Sequence, residues 1–277
     1  MKHRFRYCTQ HSDELIRQLE NAGIKYSYNT ELGLVVYYLF VGQPASEAIW
    51  PYIRSLEHGS EIESMIFTEK ERESAPWLHL RTTSQKVEPP DHGRVCIPCT
   101  SRSKPLCYSR ELRLPILTTR RVRWAKNQFF CSDFDLGYNE LFCSDEARTM
   151  LESAELPLIF QPVMYEGKGT AVPDLHFIQP LHTLPAEAID LSALPVQSQC
   201  SVCGQTTYNL YGAIRLSIRE DYLDAGKMIY TTPRIFGPGG ASPAMIISQD
   251  VYQFLKHQNM LRSLHAEPVV LLPREHG

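Results

Sequence analysis

Two short stretches constrain this chain more than any others. VCIPC at residues 95–99 and QCSVCG at residues 199–204 each hold two cysteines separated by two residues, and residues 100–199 lie between the pairs. If the pairs meet, they tie the middle of the chain to its C-terminal part, and the fold must close a loop of that length. Closing a loop of about 100 residues costs roughly 4 kcal/mol. A structural zinc site contributes about 10–16 kcal/mol in small peptides. A metal therefore outweighs the closure cost.

The redox setting decides how the thiols are read. The N-terminal MKHRFRYCTQHSDEL has basic residues but no apolar run behind them, unlike a secretory signal. The longest apolar stretch, LGLVVYYLFV at 32–41, is half of a membrane span. These features predict a cytoplasmic protein with no membrane contact, whose eight cysteines stay reduced. In that setting C-x-x-C pairs point to metal or redox chemistry. Four thiolates hold zinc tetrahedrally and leave no open coordination position, so the predicted zinc is structural, in a zinc-ribbon-like site. Gly204 after the second pair lets the chain turn back, and Thr100 stands at that place in the first.

Alternatives stay open. Cys96-Ile-Pro-Cys99 resembles the C-x-P-C of thiol–disulfide enzymes, but TSRSKPLC after it does not read as the helix such a thiol needs. Cys107 or His92 is an alternative fourth ligand. Cys8, Cys131 and Cys143 sit in strand-like segments and read as packed thiols.

Periodicity predicts an α+β protein. Residues 1–82 read as a ferredoxin-like βαββαβ domain. Its helices are DELIRQLENAG after a Ser12 cap and SEAIWPYIRSLEHG with Ser46 as cap, and TEKERESAPWLHLR follows as a short helix and a strand. Residues 83–277 read as a larger zinc-stapled α+β domain. Within it ELFCSDEARTMLESAELPLIFQPV (140–163) resembles AMIISQDVYQFLKHQNMLRSLHAEPV (244–269). Each has a short strand, a capping serine (Ser144 or Ser248), a helix carrying Leu151 or Leu255, and a strand ending in Pro-Val. These read as two strand–helix–strand repeats, with chance convergence on a common motif as the alternative.

Charge is unevenly spread. Residues 102–126 carry a net charge of +7, which leaves −10 for the rest of a chain whose total is −3. A total near zero gives no global pull toward nucleic acid. Arg113, Arg121 and Arg123 alternate with apolar residues, as on a solvated sheet face. Arg120, Arg121, Arg123 and Trp124, with Asp133 and Asp135 in the acidic stretch that follows, are the candidate partner-binding residues. IFGPGGAS (235–242) meets no phosphate-loop spacing and reads as a tight turn. His176 and His182, flanking FIQPL, read as a solvent-exposed pair. No H-E-x-x-H or G-x-S-x-G is present, so no catalytic residue is assigned.

Together, FTEKERESAPWLHLR (67–81), the two cysteine pairs, IFGPGGASPAMIISQDVYQFLK (235–256) and the final EPV resemble the bacterial double C-x-x-C-G motif family. Thr100 departs from that motif. The resemblance implies zinc held by Cys96, Cys99, Cys200 and Cys203. It also implies a non-enzymatic immunity protein that binds and neutralises a cognate toxin, as some relatives are regarded. The alternative expectation is a zinc-ribbon nucleic-acid binder using residues 102–126.

Overall fold

The computed structural model describes residues 2–56, 59–82, 84–88, 116–133, 140–199, 204, 206–210, 214–236 and 242–273, without the side chains of 59–63 and 133. The chain is mixed α+β. It divides into two compact units, Met1–Glu71 with Tyr211–Ile214, and Arg72–Leu210 with Arg215–Gly277.

The first unit runs β1 (Lys2–Gln10), α1 (Asp13–Asn21), β2 (Tyr26–Asn29), β3 (Leu34–Phe40), α2 (Pro44–Arg54) and β4 (Gly59–Ile66). The sheet order is β2-β3-β1-β4, antiparallel throughout. Alternation sets its inner face: Tyr7, Val35, Tyr37 and Leu39 pack with Leu15 and Leu19 of α1 and Ile49, Trp50 and Ile53 of α2. Ser12 caps α1, its Oγ accepting from the Leu15 N–H at 3.1 Å. Gly23, at φ +67°, ends it in the left-handed region where a side chain is strained. The cap expected at Ser46 is not there. α2 begins at Pro44, whose fixed φ and missing N–H suit a first helical position. Ser46 is buried instead, and its Oγ accepts from the Phe40 N–H at 2.9 Å, tying α2 to the end of β3.

α3 (Glu69–Ser74) spans the division between the units. The strand after it, β5 (Trp77–Thr82), was expected inside residues 1–82, but it lies between two strands of the second unit. That unit continues with β6 (Gln85–Val87), β7 (Leu117–Thr118), β8 (Phe130–Asp133), β9 (Phe142–Cys143), α4 (Asp145–Ser153), β10 (Leu158–Tyr165), β11 (Ala171–Pro180) and β12 (His182–Thr183). Then come β13 (Val196–Gln199), β14 (Thr206–Tyr208), β15 (Ser217–Arg219), β16 (Ile229–Thr231), β17 (Met245–Ser248), α5 (Gln249–His257), β18 (Leu264–Pro268) and β19 (Val270–Leu272). One sheet has the order β6-β8-β9-β11-β10-β7, another β12-β16-β17-β5-β18, and β13-β14 and β15-β19 form two small ribbons.

The two larger sheets are copies of one pattern, and the repeated unit is longer than the sequence similarity indicates. Residues 77–165 and 171–268 each run through a long strand, a short edge strand, two antiparallel strands, a helix and a last strand. The long strand is exchanged. β11 of the second copy inserts between β9 and β10 of the first, and β5 of the first inserts between β17 and β18 of the second. Registers agree pair by pair. Cys143 and Pro162 both face His176, while Ile247 and Pro268 both face Leu78. Phe130 faces Cys143 as Ile229 faces Ile247. The edge strands β6 and β12 run parallel to β8 and β16, through Gln85–Ser132 and Thr183–Thr231.

The helices match in detail. Ser144 Oγ accepts from the Ala147 N–H at 3.2 Å, and Ser248 Oγ from the Val251 N–H at 3.4 Å. Glu155 and Asn259, at the same distance past their serines, both take positive φ, 52° and 56°. Both copies feed one core, where Phe130, Cys143, Ala147, Leu151 and Leu80 meet their counterparts Ile229, Ile247, Val251, Leu255 and Ile178. Because each cap satisfies one orphan N–H, Ser144→Ala and Ser248→Ala should each cost about 1 kcal/mol. That is a fall of about 2–4 °C in thermal midpoint for a domain of this size, measurable by calorimetry.

Candidate functional site

The duplication fixes where the cysteine pairs leave the scaffold. In the first copy the chain between the edge strand β6 and strand β8 holds Cys96 and Cys99. In the second copy the chain between the corresponding strands β12 and β16 holds Cys200 and Cys203. The four cysteines lie outside the described residues, as do Cys107, His92 and Asp135. The flanks of the second pair are described. β13 and β14 pair antiparallel, with Gln199 opposite Thr206 and Ser198 Oγ 2.8 Å from Thr207 Oγ1. This ribbon leads into and out of residues 200–205. Gly204 there has φ +70°, where a Cβ would be strained. A left-handed glycine directly after a C-x-x-C, two residues before β14, has the backbone conformation that a metal-binding C-x-x-C-G turn requires.

Among the described residues no group of three or more His, Cys, Asp or Glu side chains is placed to hold a metal ion. The remaining cysteines sit in strands: Cys8 is partly buried, and Cys131 and Cys143 are buried. Burial pushes the Cys143 thiol well above its ordinary pKa, which leaves it protonated and unreactive.

Residues 116–129 carry the candidate partner surface. After β7 the backbone is irregular. Ile116, Val122 and Phe129 are buried anchors, and the Thr119 N–H donates to the Glu88 carbonyl at 2.9 Å. Between these anchors Arg120, Arg121 and Arg123 are exposed. Arg120 Nε lies 2.7 Å from Glu88 Oε2, with both side chains about half in solvent, so the pair contributes about 0–1 kcal/mol. Trp124 is held in place. Its Nε1–H donates to the Asp174 carbonyl at 2.9 Å, and Lys86 Nζ lies 5.7 Å from its ring centroid. Partial burial lowers the Lys86 pKa. Asp133 ends β8, with Val87 as its partner on the edge strand.

Beside Trp124 lies a shallow cleft of about 320 Å³ lined by Lys126, Asn127, Gln128, Ser144 and Asp174. Asp174, at φ +56°, turns its carboxylate to accept from the Asp145 N–H at 2.6 Å, at the start of α4. Asp145 Oδ1 in turn lies 2.5 Å from His176 Nε2. His176 is therefore not an exposed surface residue. Its side chain is 12% exposed, on a strand whose Leu175, Phe177 and Ile178 are buried. The run LHFI, apolar at three of its four positions, is the sequence signal that marks this part of the strand as covered. His182 lies on β12, its ring centroid 5.9 Å from that of Tyr230. Phe236 and Ser242 bond each other's backbones at 3.0 and 2.7 Å, closing the glycine-rich stretch at its base.

Arg234 and Glu140 form an ion pair, 12% and 2% exposed. Buried pairs of this kind lose 3–5 kcal/mol when one partner is removed, about what separates a folded from an unfolded variant of a marginal domain. No helix among the described residues is long and apolar enough to cross a membrane. No protein-family model matches the chain, and a search of curated proteins gives no match.

Proposed function

We propose that this chain is a cytoplasmic, non-enzymatic immunity protein that binds and neutralises a cognate bacterial toxin. Its first unit is a ferredoxin-like module. Its duplicated second unit is stapled by one structural zinc through Cys96, Cys99, Cys200 and Cys203. The observation that carries the staple is the equivalence of the two insertions. Each copy supplies one C-x-x-C from the same point between its edge strand and its next strand. Two equivalent pairs supply the four thiolates of one closed tetrahedral site, which holds metal without an open position for catalysis. The left-handed Gly204 at the end of the β13–β14 ribbon supports this reading.

Neutralisation then rests on a surface. The exposed arginines of residues 119–127 are the proposed contact, with Asp133 and Asp135 near them in sequence, because Arg anchors are enriched where interfaces concentrate their energy. The test is co-expression with the candidate toxin encoded beside this gene. Growth should be restored by the wild type and lost with Arg120→Glu/Arg121→Glu, whose thermal midpoint should stay unchanged. Unaltered rescue by that variant rules this surface out. Failure of the wild type to rescue rules out that pairing. The second reading, nucleic-acid binding by the same basic segment, is supported by its charge. It predicts that the same double variant abolishes salt-sensitive binding to nucleic acid.

A further inference from the structure

We propose that the sheet face of the first unit turned away from its helices binds a single strand of nucleic acid. Tyr7, Tyr37 and the other inward residues pack on α1 and α2, so the even-numbered residues of β1 and β3 face the other way. β1 presents Lys2, Arg4 and Arg6 there, and β3 presents Val36, Tyr38 and Phe40. No carboxylate is among the described side chains of this face, and the acids Asp13, Glu14, Glu20 and Glu47 lie on the helices.

The pattern repeats along the strands. Alternate residues are about 6.8 Å apart in an antiparallel strand, so the three cations form a regular row. In register, Arg6 lies opposite Tyr38 and Arg4 opposite Phe40, so an aromatic ring stands beside each arginine. Tyr38 is 40% exposed. The Arg4 guanidinium lies 4.9 Å from its ring centroid and is held by Nε–H donation to Ser64 Oγ at 3.2 Å. Two steps that set an arginine opposite a ring, with Lys2 extending the row of charge, match a polymer with a phosphate and a base at each step. Four-stranded sheets with aromatic central strands hold about two or three bases in this manner. A folded acidic protein presents carboxylates with no such repeat. Trp124 is only partly exposed and its N–H is bonded, whereas Tyr38 is exposed.

The experiment is fluorescence anisotropy of the full chain with labelled oligouridine and oligothymidine of about twelve nucleotides, between about 50 and 200 mM salt. The expected result is saturable binding whose log–log salt slope is about −2, from three phosphates at about 0.7 each. Tyr38→Ala should weaken it about tenfold, and Tyr38→Phe should not. Arg6→Gln should flatten the slope by about 0.7. Circular dichroism identifies any variant that fails to fold, and Tyr38→Ala, at an exposed ring, serves if the arginine variant does. No binding at the lowest salt overturns the proposal, as does binding indifferent to both Tyr38→Ala and Arg6→Gln. Loss on Arg120→Glu/Arg121→Glu instead assigns nucleic acid to the other segment. Equal competition by poly-L-glutamate assigns the face to an acidic protein. Both results overturn it.

Discussion

Replacing Cys200 with Ser should release the metal and lower the thermal midpoint of the second unit by about 10 °C or more. Each kcal/mol moves the midpoint of a domain this size by about 2–4 °C, and a structural zinc contributes several. Cys96→Ser should cost as much, although Cys96 and Cys200 lie in different copies of the repeat, because in the proposed staple the two thiolates serve one ion. Chelation at neutral pH should reproduce both variants. Cys131→Ser, at a buried cysteine of β8 outside both C-x-x-C pairs, should leave the metal content untouched. Differential scanning calorimetry of the three variants, with zinc assayed in each, checks the set. A Cys200→Ser protein that keeps its zinc and its midpoint would remove the staple from this account.

The second large effect lies in the shared core. Leu151 and Leu255 occupy equivalent turns of α4 and α5 and are 3% and 2% exposed in one cluster. Truncating either to Ala removes buried methyl groups and leaves a cavity, at a cost of about 2–5 kcal/mol. The copies exchange β5 and β11, so neither keeps a complete sheet without the other. Leu151→Ala and Leu255→Ala should therefore lower a single cooperative transition of the whole second unit by similar amounts. Denaturant melts followed by fluorescence would show it. Two separate transitions, one for each copy, would contradict the exchanged arrangement.

Local signals in the sequence marked elements well and partners poorly. Ser12, Ser144 and Ser248 mark helix starts because a cap is a contact between residues three apart. Leu151 and Leu255 mark the buried helix face for the same reason. Strand exchange leaves no such local trace, since periodicity tells which side of a strand is buried and not which strand lies beside it. β5 follows the βαββαβ pattern in sequence and falls inside the 1–82 range read as one domain, yet its hydrogen bonds go to β17 and β18. Ser46 misleads because proline at the first helical position starts α2 two residues earlier and frees the hydroxyl to bind β3. His176 reads as polar and exposed until Asp145, brought beside it by the start of α4, supplies its partner.

The measurement closest to the central claim is native mass spectrometry of the intact chain, with the pair variants Cys96→Ser/Cys99→Ser and Cys200→Ser/Cys203→Ser beside the wild type. One zinc per wild-type chain and none in either variant is the expected result, since the proposed site takes one thiolate pair from each copy. Zinc retained by either pair variant, two zinc ions in the wild type, or a wild-type chain without metal would contradict it.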